Sequence, residues 1–130
     1  MIDWDAELHT GCGCSIATLD GDYIYAQDGY QKDTTADAPF APFAQAGRDT
    51  FDGMGNMSGV YSGNFNGTIT RGNYDGTYTV EPDCSGSVTL TDNLGQTSHY
   101  DMYVAADGSE LVFVQTDPNF ITAAYEYRVS

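Results

Sequence analysis

The residues best suited to chemistry in this chain of 130 are its three cysteines: Cys12 and Cys14 near the start, and Cys84 inside "EPDCSG", which reads as a hairpin turn. A thiol exposed on a turn is open to oxidation and exchange, so Cys84 calls for a partner. A disulfide to the N-terminal pair would close a loop of about 70 residues and contribute on the order of 4 kcal/mol through the entropy removed from the unfolded chain. A metal site from Cys12, Cys14 and a histidine is the alternative, but C-x-C spacing is tighter than the usual zinc knuckle, and His9 and His99 are the only histidines. Thiol catalysis would need a histidine beside Cys84, and neither has a sequence-level reason to lie there. The disulfide is therefore expected, with no metal and no cofactor. It implies an oxidising compartment, hence a secreted or periplasmic protein. The opening "MIDWDAE" reads as neither a basic n-region nor an apolar h-region, so compartment is inferred from the cysteines alone.

Charged side chains on strands are the second place to look for chemistry. Arg48, Arg71, Arg128, Glu110 and Glu126 interrupt otherwise neutral runs, and Arg48 is in phase with the small residues Ala44 and Ala46. They read either as exterior solvation or one internal ion pair, or as an arginine inside the fold that orients a carboxylate or carbonyl, for which Arg48 and Arg128 are the candidates. No Ser-His-Asp constellation, phosphate loop or paired-carboxylate motif is recognisable. Four Lys+Arg stand against nineteen Asp+Glu, a formal charge of -15, which excludes nucleic acid and anionic membrane surfaces as partners. No apolar run approaches the roughly 20 residues that span a bilayer. Many aspartates lie beside glycine in "LDGDY", "FDGMGN", "NYDGT" and "AADGS", which is turn chemistry; after Asp20-x-Asp22 the EF-hand pattern fails at the apolar Ile24.

The elements that must hold these residues are strands. Hydrophobic spacing has period two almost throughout, punctuated by Gly, Asn and Asp about every ten residues. Eight strands are expected near Asp20–Tyr30, Pro42–Asp52, Asn56–Phe65, Thr68–Val80, Gly86–Asp92, Thr97–Ala105, Glu110–Thr116 and Phe120–Val129. Short links enforce a meander, and pairing the first strand with the last removes both exposed edges. The expected fold is all-β: a closed antiparallel up-and-down barrel over residues 14–130, preceded by an N-terminal arm at 1–13 that Trp4 helps to anchor. The longer link from Gln31 to Ala41 would either cover one mouth or lie disordered. In such a barrel the first strand starts at the rim where the fourth ends, so the arm can meet the turn holding Cys84. Cys14 is preferred over Cys12 because it lies closer to the first strand.

Alternation proposes the interior. Tyr23, Tyr25 and Gln27 share a face of the first strand, Phe43 and Phe51 of the second, and Met57, Tyr61 and Phe65 of the third. Tyr74, Tyr78, Val88, Leu90, Tyr100, Met102, Val104, Leu111 and Phe113 follow on later strands. An eight-strand barrel is just wide enough to be filled by such side chains or to hold one small ligand. Ten tyrosines bring more hydroxyls than a dry core readily pairs.

"LDGDYIY" resembles the G-x-aromatic opening strand of lipocalin-like barrels, and "YEYRV" resembles their closing strand with its arginine. The resemblance implies roles for Gly21, Tyr23 and Arg128, the arginine packing over the aromatic at the closed end. "PFAQAGRDTFDGMGNMSG" with "GTYTVEPDCSG" resembles small secreted bacterial proteins, whose general shape is similar to the allene oxide cyclase barrel. The functional expectation is binding of a small, largely apolar molecule in the barrel, oriented by tyrosine hydroxyls and Gln27. A cofactor-free cyclase or isomerase acting by shape and proximity is the second reading, and a filled structural or interaction module the third. Homo-oligomerisation stays open.

Overall fold

A computed structural model describes residues 13–33, 35 and 37–130. The expected arm, with Trp4, His9 and Cys12, lies outside the described residues apart from Gly13. A short 3₁₀ turn at Ile16–Thr18 precedes eight strands: β1 Asp20–Gln31, β2 Ala41–Asp52, β3 Asn56–Phe65, β4 Thr68–Val80, β5 Ser85–Asp92, β6 Thr97–Val104, β7 Glu110–Gln115 and β8 Phe120–Arg128. Each pairs antiparallel with the next, and β8 returns to β1 over Tyr23↔Arg128 to Gln31↔Phe120, so the barrel is closed. No strand edge is left to template aggregation. The expected boundaries agree with these to within a residue.

The aspartates make the turns. Asp52 Oδ1 accepts from the amides of Met54 (2.7 Å) and Asn56 (3.0 Å), and Asp92 Oδ1 does the same for Leu94 (2.8 Å) and Gln96 (2.9 Å). Asp83 and Asp107 cap Ser85 and Ser109 in the same manner. Local carboxylate-to-amide bonds of this kind give the chain an alternative to continuing the strand, which is why Asp and Asn recur where it reverses.

Inside the barrel, large side chains face glycines on neighbouring strands. Tyr25 pairs with Gly47, Tyr61 with Gly72, Tyr74 with Gly59 and Met102 with Gly86. The missing side chain is the space a ring occupies. At Gly59 a Cβ would meet Asp49 Oδ1, stand 2.6 Å from Tyr74 Cε1 and 2.7 Å from the Arg48 carbonyl oxygen.

One end is filled and the other open. At the β1 start, Leu19, Tyr23, Phe51, Tyr78 and Met102 are buried, with Tyr23–Phe51 and Phe51–Tyr78 in edge-to-face contact at 5.2 and 5.0 Å. Arg128 lies with Cζ 5.5 Å from the Tyr23 ring centroid and donates from Nη2 to the Tyr23 hydroxyl at 3.2 Å. Tyr23 in turn donates to the Gly108 carbonyl. The packing that the lipocalin-like resemblance implied for Arg128 over Tyr23 is present. Arg128 thus serves the closed end and does not enter the interior.

Cys14 and Cys84 form a disulfide, with Cα atoms 5.0 Å apart, that ties the residues before β1 to the β4–β5 turn. Cys14 N donates to the Pro82 carbonyl at 3.1 Å alongside it. With its sulfur in the disulfide, Cys14 is no thiolate ligand for a Cys12–Cys14–His metal site.

Candidate functional site

Above the filled end a cavity of about 340 Å³ opens toward the far rim. Thirteen of the expected interior residues line it: Tyr25, Gln27, Phe43, Phe51, Met57, Tyr61, Phe65, Tyr74, Val88, Leu90, Tyr100, Leu111 and Phe113. Tyr23, Tyr78 and Met102 are interior too but pack beneath the cavity, because their positions fall in the last inward layer before the closed rim. The mouth is bordered by Gln31, Thr70, Asp92, Leu94, Gln96 and Phe120 from the opposite strand ends.

Arg48 requires a correction. It is exposed on the outside of β2, and Ala44 and Ala46, with which it is in phase, are exposed with it. The inward phase of β2 is Phe43, Gln45, Gly47, Asp49, Phe51, so the interior charge on this strand is Asp49. Of the two readings of Arg48, exterior solvation holds and the interior arginine does not.

Asp49 has a companion. Glu126, on the inward face of β8, is 1% exposed and Asp49 4%, and their carboxyl groups hydrogen-bond to each other. β2 and β8 are both neighbours of β1 and not of one another, so the two side chains meet only in the interior, reaching across β1 from either side. In the register Asp49 lies opposite Tyr23 of the closed end and Glu126 opposite Tyr25, one inward layer above it. The paired carboxylates that no motif announced are produced by closure.

A polar chain leads into this pair. Gln45 Nε2 donates to the Tyr25 hydroxyl at 2.9 Å, that hydroxyl lies 3.1 Å from the Tyr74 hydroxyl, and Tyr74 donates to Asp49 Oδ1. Beside it Gln27 Nε2 donates to Thr122 Oγ1 at 2.8 Å. The stacked Tyr61 and Tyr74 rings, 5.8 Å apart, and the edge-to-face pairs Tyr25–Phe113 and Tyr100–Phe113 form the walls.

Burial sets the protonation states. Loss of water, then the hydrogen bond and charge of Asp49, hold the Glu126 carboxyl well above its usual 4.5. Burial also raises Asp49, against the opposing hydrogen bonds from Glu126 and Tyr74. Of the two, Glu126 therefore holds its proton more tightly and shares it with Asp49. Burial raises Tyr25 and Tyr74, with the Asp49 charge adding to it, and pushes Tyr100 up to about 12. All three hydroxyls keep their protons.

Two features define what the site can do. Glu126 Oε2 is buried and meets no hydrogen-bond partner among the described residues, although the side chain borders the cavity. None of the four Lys and Arg residues lines the cavity, so the negative charge on the pair has no cation beside it. A buried carboxyl pair in this state can hold or release a proton, or accept hydrogen bonds from a positive donor. Among the described residues no group of three His, Cys, Asp or Glu is arranged to hold a metal ion. Glu126 was visible in the sequence only as a charge on a strand, and Asp49 only as a residue two before the inward Phe51. No protein-family model, curated protein or solved structure matches this chain.

Proposed function

We propose that this barrel binds a small, largely apolar molecule in its interior. The observation that carries the reading is the cavity of about 340 Å³ lined by nine Tyr and Phe side chains with a few polar groups among them, which falls in the roughly 300–1,000 Å³ range of ligand pockets. Aromatic walls supply apolar area, while Gln27, Gln45 and the tyrosine hydroxyls fix orientation. A secreted or periplasmic setting belongs to the proposal and is supported by the Cys14–Cys84 bond. Self-association belongs to it as well: Tyr103, Val112 and Tyr125 stand side by side on the outer face, exposed, where a second copy would cover them, and light scattering at two concentrations reads the outcome.

A second reading, a cofactor-free isomerase or cyclase, gains from the acid pair, since a protonated Glu126 offers a proton where shape alone offers none. Both readings require an accessible interior. A thermal-shift and native mass spectrometry screen of lipids, terpenes and aromatic compounds should find at least one class that raises the Tm of the wild type. Leu90→Trp, which fills the cavity from β5, should abolish that shift. A screen with no stabilising compound, or shifts that Leu90→Trp leaves intact, would remove the interior as the binding site.

A further inference from the structure

Granting that the interior takes a ligand, the chemistry at its floor narrows the class. Asp49 and Glu126 face the cavity with no basic side chain beside them, and Glu126 Oε2 is buried without a partner. The polar chain does not satisfy it: Tyr74 gives its proton to Asp49 Oδ1, and Gln45 gives an N–H to Tyr25. An unpaired buried acceptor costs on the order of 1–3 kcal/mol, a penalty a ligand can remove by supplying a donor at that atom.

We infer that the occupant is a small apolar molecule bearing one ammonium group, seated with its nitrogen on the Asp49–Glu126 pair and its apolar body between the aromatic walls. A neutral alcohol could pair Oε2 but would leave the Asp49 charge unbalanced, and a carboxylic acid would meet that charge with its own. An ammonium group donates to Oε2 and balances the pair at once. The π-faces of Tyr25, Tyr61, Tyr100 and Phe113 favour a cation near them. The formal charge of -15 draws cations toward the mouth.

Binding carries a proton balance. The ammonium ion keeps its proton and balances the one negative charge that Asp49 and Glu126 share, so the carboxyl proton stays between them and the complex forms without net proton release. The titratable groups facing the pair are Tyr25 of β1, Tyr74 of β4 and Tyr100 of β6, all protonated, with Tyr23 below; β7 presents Leu111 and Phe113. None of these gives up a proton to the incoming cation near neutral pH.

Calorimetry with matched pairs tests the inference: benzylamine against benzyl alcohol, 2-phenylethylamine against 2-phenylethanol, and cyclohexylamine against cyclohexanol, each in two buffers of different ionisation heat near pH 7. At least one amine should bind the wild type about tenfold or more tighter than its alcohol, a difference of about 1.4 kcal/mol, with no net proton release between the two buffers. The double variant Asp49→Asn/Glu126→Gln should lose the preference while still binding the alcohol. Equal affinities within every pair, or a preference that survives in the double variant, would overturn the ammonium assignment and leave the cavity reading intact. Binding of neither member of any pair, with neutral ligands found in the wider screen, would likewise overturn only the ammonium assignment. If the screen were empty as well, both would fall together.

Discussion

Glu126 binds its proton more tightly in the folded chain than in the unfolded one, because burial and the neighbouring Asp49 penalise its ionised form. The stability it contributes is therefore complete below the ordinary glutamate range near 4.5 and is lost as pH climbs through the elevated folded-state value. Exposed turn aspartates act in the opposite sense: the side chain and amide of Asn56 hold Asp52 below 3.8, and Ser85 does so for Asp83, so their contribution is lost as pH falls through those lowered values. Stability should rise as pH is lowered from about 8 to about 5. Relief of the net negative charge gives part of that slope in any variant, so the informative quantity is the difference between wild type and Glu126→Gln. Urea unfolding across this range should show a shallower slope for the variant, by at most about 1.4 kcal/mol per pH unit for one proton. Identical slopes would mean that Glu126 is not protonated in the folded state.

At the scale of the strand, inward glycines are structural partners of the rings. Gly59 of β3 lies between Asp49 of β2 and Tyr74 of β4, and both the ring and the Arg48 carbonyl stand where a Cβ would go. A backbone oxygen in a paired strand cannot retreat as a side-chain end can. Gly59→Ala should therefore cost about 1–3 kcal/mol by overpacking, measured by chemical denaturation, and should push Tyr74 off Asp49. Ser62→Ala on the same strand but facing outward should stay within about 0.5 kcal/mol of wild type. Equal costs at the two positions would show that the loss comes from alanine in the strand and not from the interior contact.

For the molecule as a whole, closure and the disulfide divide the work of holding the ends together. β8 pairs with β1 along nine residue pairs, while Cys14–Cys84 fastens the segment ahead of β1 across the closed rim. Replacing both cysteines by serine should lower stability by about 2–5 kcal/mol, with the far-ultraviolet spectrum still that of a β protein. Peptide mapping without reduction should recover the peptides holding Cys14 and Cys84 as one linked species. Linkage of Cys84 to Cys12 instead would contradict the pairing.

The strands, their turns, the closed barrel and the Cys84 partner were legible in the sequence because each follows from local rules: period-two alternation sets the faces, Asp and Gly set the reversals, and an even strand count sets which ends share a rim. Alternation also named the residues around the cavity, from Tyr25 to Phe113. It could not say which of them pack the closed end, since Tyr23, Tyr78 and Met102 look no different in sequence from residues one layer higher. Nor could it pair Asp49 with Glu126. These belong to strands that never touch, and only the return of β8 to β1 sets them on either side of one strand, pointing inward at adjoining layers. Charge alone could not choose between the exterior and interior readings of Arg48, because a side chain's face depends on the phase of its whole strand. The protonation of the pair was decided last, by burial, a property of the closed barrel that no single segment possesses.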